Sequence, residues 1–511
     1  MGGGQALTEK AMRSVSVKEI SQHRSLKDLW VVIDDVVYDL SEFALQHPGG
    51  VAVLLDYAGQ DATAAYSEVH SPSVIKTSLP ASSRIGVLDQ ATITEQWARP
   101  PPRARGPPQK TPEKPPLDSL INARDFEVAA EASFTPKAWA FVSSAATDCL
   151  TKERNASVYR DIVLRPRVLR NVRDVDISTT ILGNHVAAPI FCAPTSMGRI
   201  FHPQGERELG RGCQRLGIPQ CVSTSCSFPL PEVMDAVEEE SLSQGVGTDG
   251  SVPVFFQLYV DKDRRKSEAL LRMVRERGVK GIFLTVDAPV IGKREADERV
   301  KSDENLRAPM SGAQAKNDAK GGALGRLMGG FIDASLTWDD VSWVRQHAPG
   351  LPIALKGIQT AADAVKAMEA GVDAIYISNH GGRSLDTSPA TILVLLEIQK
   401  CCPQVFDKME VYVDGGITRG TDIFKALCLG AKAVGIGRGF LFSLNYGKGG
   451  IEKFVNILVD ELVTTMQMCG ITSLDQVHPG LLHTGAVDHL VPGSEEHPYA
   501  RWKPKLRSSK L

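Results

Sequence analysis

Long uninterrupted apolar runs are missing from this chain of 511 residues. The best stretch, Ala426–Phe442, is broken by Lys432 and Arg438 and falls short of the roughly 18 to 20 uncharged residues that span a bilayer, so no membrane helix is expected. A charge imbalance is missing too: 58 Lys+Arg against 60 Asp+Glu leave a net charge of -2, which argues against binding nucleic acid or an anionic membrane through the chain as a whole. The 9 Cys are scattered, odd in number and contain no C-x-x-C, which argues against a disulfide framework and a zinc site and reads as incidental thiols in a reducing compartment. At the start, Met1–Leu7 has Ala6 where myristoylation wants Ser or Thr, and it lacks the apolar core of a signal peptide and the length of a transit peptide. A short disordered tail over residues 1–14 is expected.

What is present is ordinary globular composition, 42% hydrophobic and 23% charged with 45 Gly and 30 Pro. The length predicts two to four domains at roughly 150 residues each, although a barrel of about 250 residues counts as one. The clearest punctuation is Ala98–Pro116 (ARPPPRARGPPQKTPEKPP), whose prolines forbid a continuous helix and whose Arg and Lys keep it solvated. A linker over 91–117 therefore separates a small module, 15–90, from a long one, 118–490, with a tail over 491–511. That tail ends in Ser509-Lys510-Leu511, the receptor-read peroxisomal address. A peroxisomal location is expected, with the cytoplasm as the alternative and the mitochondrion less favoured.

In the long module, short β-branched or aromatic runs alternate with amphipathic stretches. Strands are predicted at 188–194, 220–225, 254–260, 281–287, 352–357, 374–380, 410–416 and 433–438. Between them lie helical stretches such as Ser267–Gly278, Ala361–Gly371 and Gly420–Gly430, each ending at Gly. Eight strands with near-continuous apolar cores, each followed by a helix, fit an α/β fold of the parallel (β/α)8 barrel type. Residues 300–330 are polar and Gly-rich and are expected to form a mobile excursion over the barrel mouth.

In the small module, Trp30–Leu40 reads as two strands around an Asp34-Asp35 turn, followed by His47-Pro48-Gly49-Gly50 and by a helix ending at His70. Two His on opposing helices can supply two axial imidazoles to one iron, which suits electron transfer because no coordination position stays open, but two His alone read equally as surface or core residues. H-P-G-G, then G-Q-D-A-T, then H-S within one small module closely resembles cytochrome b5. That resemblance implies an α+β fold holding haem b through His47 and His70. Between residues 15 and 90 there are ten Asp/Glu against five Lys/Arg. This acidic face steers the module toward a basic partner or is simply a solvated surface.

Active sites of (β/α)8 barrels lie at the carboxyl ends of the strands. Those ends carry Gln257 and Tyr259, Thr285 and Asp287, Lys356, His380 and Arg383, Asp414-Gly415-Gly416, and Gly437-Arg438. Thr285 or Gln257 taken singly reads as a satisfied polar residue, but the convergence is more than structural. His380 can take a proton near neutral pH, Arg383 can grip a carboxylate bidentately, and Asp287 can stabilise the imidazolium. Together they suit a 2-hydroxy acid. The glycines after the seventh strand and Gly437-Arg438 match a barrel's phosphate site.

FFQLYV, LTVDAPVIGKRE, LPIALKG, SNHGGRSLD, VYVDGGITRGTDIFKALCLGA and GIGRGFLF closely resemble the FMN-dependent 2-hydroxy acid dehydrogenase/oxidase family. A cytochrome b5 module ahead of such a barrel is similar to the flavocytochromes of that family. The resemblance implies that His380 removes the substrate proton, Asp287 orients and balances it, and Tyr259 hydrogen-bonds the substrate hydroxyl. It further implies that Arg383 and Arg294 hold the carboxylate and that Lys356 sits by the flavin N1 and C2 carbonyl. Ala193, Thr195, Ser223, Gln257 and Thr285 would line the flavin ring, with Asp414, Gly416, Gly437 and Arg438 along the ribityl phosphate. Related barrels are often tetramers, so a homo-oligomer is expected.

Some residues depart from the family pattern. Arg124, in INARDFE, stands where a Tyr that helps bind the carboxylate is usual; it offers a second fork for a larger or dicarboxylic substrate, a contact to a haem propionate, or a side chain turned to solvent. Ser196 and Ser225 stand at pocket positions that are commonly more apolar in the lactate enzymes. Thr418 replaces a common Arg, and Ala145 a usual Gly. The expected activity is oxidation of an L-2-hydroxy acid, lactate-like or larger, with electrons passing from FMN to haem b and on to an acceptor such as a c-type cytochrome. The rivals are a peroxisomal oxidase that returns electrons to oxygen and a non-enzymatic b-type electron carrier.

Overall fold

The computed structural model describes residues 12–47, 51–63, 65–66, 75, 79–94, 97, 114–247, 250–302, 306–317, 322 and 324–491. The chain divides into two compact units, Met1–Thr111 and Pro112–Leu511. His70, Pro48–Gly50, most of the Pro-rich stretch and Ser509–Leu511 lie outside the described residues.

The first unit holds a five-stranded sheet in the order Ser14–Val15, Arg84–Leu88, Val36–Asp39, Asp28–Ile33 and Arg24–Ser25. Its central hairpin turns at Asp34 and Asp35, which both take positive φ (51° and 62°), as a two-residue hairpin loop demands. One face of the sheet packs on an apolar cluster that includes Leu29, Val31, Leu40, Ala44 and Ala58.

The second unit is a closed barrel of eight parallel strands: Ile190–Cys192, Gln220–Ser223, Val254–Leu258, Ile282–Thr285, Ile353–Ile358, Ala374–Ile377, Glu410–Val413 and Ala433–Ile436. All eight strands expected from the sequence are present. Seven of them stop two or more residues earlier than the apolar runs suggested, because the residues beyond leave the ladder to form the site. Helices Arg264–Glu276, Ala361–Glu369 and Gly420–Cys428 are followed by Gly278, Gly371 and Gly430 at positive φ (79°, 67° and 105°), the backbone that stops a helix and favours glycine.

Every residue of the strand Val254–Leu258 is buried, as expected for a strand covered on both faces. Phe191, Phe255, Phe283, Tyr376 and Tyr412 fill the barrel interior, while a larger apolar layer lies between strands and helices. Strand register sets future site residues side by side: Ser223 pairs with Gln257 and Thr285 with Lys356. Among the described residues no helix is long and apolar enough to cross a membrane. The excursion after the fourth strand carries a short hairpin, Arg307–Ala308 with Ala313–Gln314, and the helix Leu324–Gly329.

Candidate active site

The sixth strand ends at Ile377, and His380, Gly381 and Gly382 then take consecutive positive φ values (60°, 64° and 77°). Such a conformation is strained for a His, and it aims the imidazole back over the barrel mouth. There His380 Nδ1 meets Asp287 Oδ1 at 2.8 Å and its Nε2 lies 3.4 Å from the Tyr259 hydroxyl. Lys356 Nζ donates to Asp287 Oδ2 at 3.2 Å and to Ser378 Oγ at 3.0 Å. Ser378 Oγ also accepts the His380 backbone N–H at 3.0 Å and donates to Asp414 Oδ2 at 3.0 Å. Gly357, at φ 116°, makes room for this network, since a Cβ there would stand 2.6 Å from Asp287 Cβ.

The electrostatics assign protonation states. Burial pushes the Asp287 carboxyl up, but the His380 and Lys356 charges and hydrogen bonds outweigh it and bring its value down to about 2. Burial pulls His380 below the usual imidazole range, with Asp287 opposing and Lys356 and Arg294 assisting, so the imidazole is neutral and ready to accept a proton. Burial, then the Asp287 charge, pushes the Tyr259 phenol up, so it stays protonated and can donate.

Next to His380 the site is rich in cations that lack anions. Arg383 Nη1 donates to the carbonyls of Phe141 (2.7 Å) and Ser144 (3.1 Å) and its guanidinium lies 5.0 Å from the Phe141 ring centre. Arg294 is 9% exposed and, among the described residues, donates only to the Arg383 carbonyl, at 3.5 Å. Among the described residues neither forms an ion pair with a carboxylate. Burial and the neighbouring Arg294 and Arg438 charges push Arg383 well down, so an anion placed between Arg294 and Arg383 removes a repulsion as well as gaining two partners.

These groups border two joined spaces. The smaller, about 70 Å³, is lined by Tyr259, Arg294, His380 and Arg383 on one side and by Ser196 and Ser225 on the other. Ser223, Gln257 and Thr285 also line it and are not independent: Gln257 accepts from Ser223 Oγ at 3.0 Å and donates to Thr285 Oγ1 at 3.0 Å. Gly325 and Gly329, on the helix of the excursion, close it. The larger space, about 810 Å³, is lined by Ala193, Thr195, Lys356, Asp414, Gly416 and Arg438, with Gly437 beside them. Its size suits a cofactor. Two buried polar atoms on its wall, Asp414 Oδ1 and Tyr159 Oη, have no partner among the described residues. Gly416 would push a Cβ to 2.1 Å from the Asn155 carbonyl, so only glycine lets this loop line the space so closely. The residues present therefore fit FMN, with Asp414 free to bond a polyol and Lys356 placed between the two spaces.

Two arginines that also line the larger space already bond to protein groups. Arg438 donates to the carbonyls of Val142, Gly381 and Ser144 (3.0, 2.9 and 3.1 Å), and Arg419 pairs with Glu461 at 2.8 Å. Thr418 turns its hydroxyl to Asp422 at 3.4 Å. Arg124 is exposed on the first turn of the helix Ala123–Ser133 and lines the larger space, which Arg383 also borders, whereas Arg294 lines the smaller one. Sequence reasoning missed Ser378, although it stands in the quoted S-N-H-G-G. It also missed the amide pair Asn155–Asn379, whose two reciprocal bonds are both 2.9 Å.

In the first unit His47 follows the turn Ala44–Gln46, whose Ala44 belongs to the apolar cluster; the ring is half-buried and meets Phe43 edge-on at 5.8 Å. An imidazole at the rim of an apolar cluster fits an axial ligand to haem. The other expected ligand, His70, is outside the described residues.

Both units match known protein families. Residues 16–89 match the cytochrome b5-like heme/steroid binding domain and residues 130–484 the FMN-dependent dehydrogenase family. The chain is 39% identical to the L-lactate dehydrogenase (cytochrome) of Saccharomyces cerevisiae, over 92% of this chain and 80% of that one. It is 37% identical to a peroxisomal (S)-2-hydroxy-acid oxidase of Oryza sativa subsp. japonica, over 70% of this chain and 94% of that one. The recombinant flavin-binding domain of baker's yeast flavocytochrome b2 superposes with a TM-score of 0.65 at 39% identity, covering 74% of this chain and 90% of that one. A mandelate oxidase bound to (S)-4-hydroxymandelic acid does so with a TM-score of 0.65 at 30% identity, over 71% and 98%. The chain belongs to the FMN-dependent dehydrogenase family, with a cytochrome b5-like haem domain ahead of its barrel, and FMN and haem are its cofactors.

Proposed function

We propose that this protein oxidises an L-2-hydroxy acid to the 2-oxo acid and passes the electrons through its haem module to an external acceptor. The observation that carries this reading is the His380 imidazole held 2.8 Å from the buried Asp287 carboxylate, beside two buried arginines that pair with no carboxylate among the described residues. Arg383 and Arg294 bind the substrate carboxylate, and Tyr259 donates to the hydroxyl. His380 Nε2 then faces the reacting carbon, accepts the substrate proton and becomes an imidazolium that Asp287 stabilises. Lys356 supplies positive charge where the larger space begins. Ala193, Thr195, Asp414 and Arg438 would hold FMN in the larger space, where it would supply a two-electron acceptor, and a haem held through His47 would supply a one-electron carrier. The excursion helix excludes water from the smaller space through Gly325 and Gly329.

A non-enzymatic electron carrier has no use for the His380–Asp287–Lys356 network. His380→Gln decides between the readings: haem reduction by substrate is expected to vanish, and unaltered reduction would remove His380 as the base.

The external acceptor we propose is a basic one-electron protein of the c-type cytochrome kind, supported by the ten Asp/Glu against five Lys/Arg between residues 15 and 90. A peroxisomal location is supported by the terminal Ser509-Lys510-Leu511, and deletion of those residues is expected to release a fluorescent fusion to the cytosol. That ending, together with the peroxisomal name of the rice relative, favours one second reading, an oxidase that returns electrons to oxygen. Peroxide formed in stoichiometry with 2-oxo acid would establish it. We propose a tetramer as the working assembly, by analogy with related barrels, and sedimentation of the full chain tests it.

A further inference from the structure

A buried ion pair stands directly behind the carboxylate-binding pocket. Lys137, on the helix Pro136–Ser143, donates to Asp297 Oδ1 at 2.6 Å and to the carbonyls of Asp297, Val300 and Gly322 at 2.7, 2.9 and 2.7 Å. The Asp297 side chain has 0% exposure. Its other oxygen accepts the backbone N–H of Gly325 at 3.2 Å.

Asp297 follows Arg294 by three residues at the head of the helix Glu295–Arg299, a spacing at which an Asp and an Arg can pair. The two are close in fact: a Cβ on Gly325 would stand 2.3 Å from Arg294 Nη1, so the guanidinium lies against the residue whose N–H Asp297 holds. Among the charged groups, Asp297 acts most strongly on Arg294. Even so, Arg294 makes no ion pair with it. Each Asp297 oxygen is directed elsewhere, Oδ1 to Lys137 and Oδ2 to the Gly325 N–H.

We propose that Lys137 is a positioning residue for substrate binding: it neutralises Asp297 and holds that carboxylate away from Arg294, which keeps Arg294 free for the substrate carboxylate. The proposal rests on the role given to Arg294 in the proposed function. A buried carboxylate stripped of its counter-charge needs another, and Arg294 is the cation beside it. Without Lys137, Asp297 becomes an internal competitor of the substrate.

Lys137→Met in the holoenzyme is expected to raise KM about tenfold or more and to change kcat by less than about threefold. Binding of the 2-oxo acid, read from its perturbation of the flavin spectrum, is expected to weaken in proportion. Adding Asp297→Asn to Lys137→Met removes the competitor and is expected to bring KM back toward the wild-type value, while Lys137→Arg keeps it. A double variant no better than Lys137→Met, or a fall in kcat parallel to the rise in KM, would overturn the proposal in favour of simple packing. Should Lys137→Met fail to fold, Asp297→Asn alone decides: KM is expected at or below the wild-type value, and a tenfold increase, about 1.4 kcal/mol, overturns the idea. Arg294→Met, measured in parallel, separates the two levels. An unchanged KM there sinks the assignment of Arg294 itself, whereas a raised KM there with no effect of Lys137→Met sinks only the present proposal.

Discussion

Asp287→Asn removes the carboxylate that meets His380 Nδ1 at 2.8 Å in a spot with 0% side-chain exposure. An Asn oxygen can still accept from the imidazole N–H, so the ring keeps its orientation and the charge alone is lost. Lys356 remains, and with Arg294 it opposes formation of the imidazolium. Breaking a buried pair by removing one partner costs about 3 to 5 kcal/mol. If that cost falls on the step in which His380 becomes charged, at about 1.36 kcal/mol per decade the rate drops by roughly two to nearly four orders of magnitude.

The assay is the rate of anaerobic flavin reduction at saturating substrate, followed across pH. In the wild type the rate falls on the acid side as the base becomes protonated. Burial already holds His380 below the usual imidazole range, and Asp287 is the group pulling it back up. Loss of Asp287 therefore moves the acid limb to lower pH while the plateau falls. A plateau within about threefold of the wild type, or an acid limb displaced to higher pH, would refute the reasoning.

Other expectations follow from the same geometry. His47→Ala is expected to abolish the haem Soret band while substrate still bleaches the flavin, and an external cytochrome acceptor is then no longer reduced; retention of the haem spectrum would exclude His47 as a ligand. Burial pushes Asp386 up, but the Thr151 backbone N–H and the Thr147 hydroxyl outweigh it and bring the carboxyl down to about 2. A depressed carboxyl contributes stability that is present above about pH 4 and lost as pH falls toward about 2, on the order of 2 to 3 kcal/mol. Urea unfolding of Asp386→Asn at neutral and at low pH checks this, and the gap between variant and wild type should close in acid. Gly435→Ala would place a Cβ 1.9 Å from the Tyr376 hydroxyl inside the barrel, and a loss of about 1 to 3 kcal/mol is expected, part of it recovered by Tyr376→Phe. Thermal denaturation measures both, and a neutral Gly435→Ala would show that this contact is not tight.

The barrel was legible because a strand buried on both faces must be apolar along its length, as at Val254–Leu258. Its chemistry was legible because barrels place function at strand ends, and His380, Asp287, Lys356 and Tyr259 all meet there. The strands ended early where the sequence still looked extended, since Ser378–Gly382 leaves the ladder through left-handed backbone that no periodicity announces. What joins distant segments was not legible. Asn155 and Asn379 are 224 residues apart, and Lys137 and Asp297 are 160 apart; each alone looks like any solvated polar side chain. For Arg124 a motif position says which residue is present and not which space it faces, and the structure shows an exposed side chain at the border of the larger space.

Anaerobic mixing of the holoprotein with a panel of L-2-hydroxy acids, glycolate, lactate and longer or more polar ones, with flavin and haem absorbance followed separately, shows whether the barrel oxidises such an acid and hands its electrons to the haem. At least one acid is expected to bleach the flavin first and to reduce the haem after it, with the 2-oxo acid as product. If no acid bleaches the flavin and none reduces the haem, the account is contradicted.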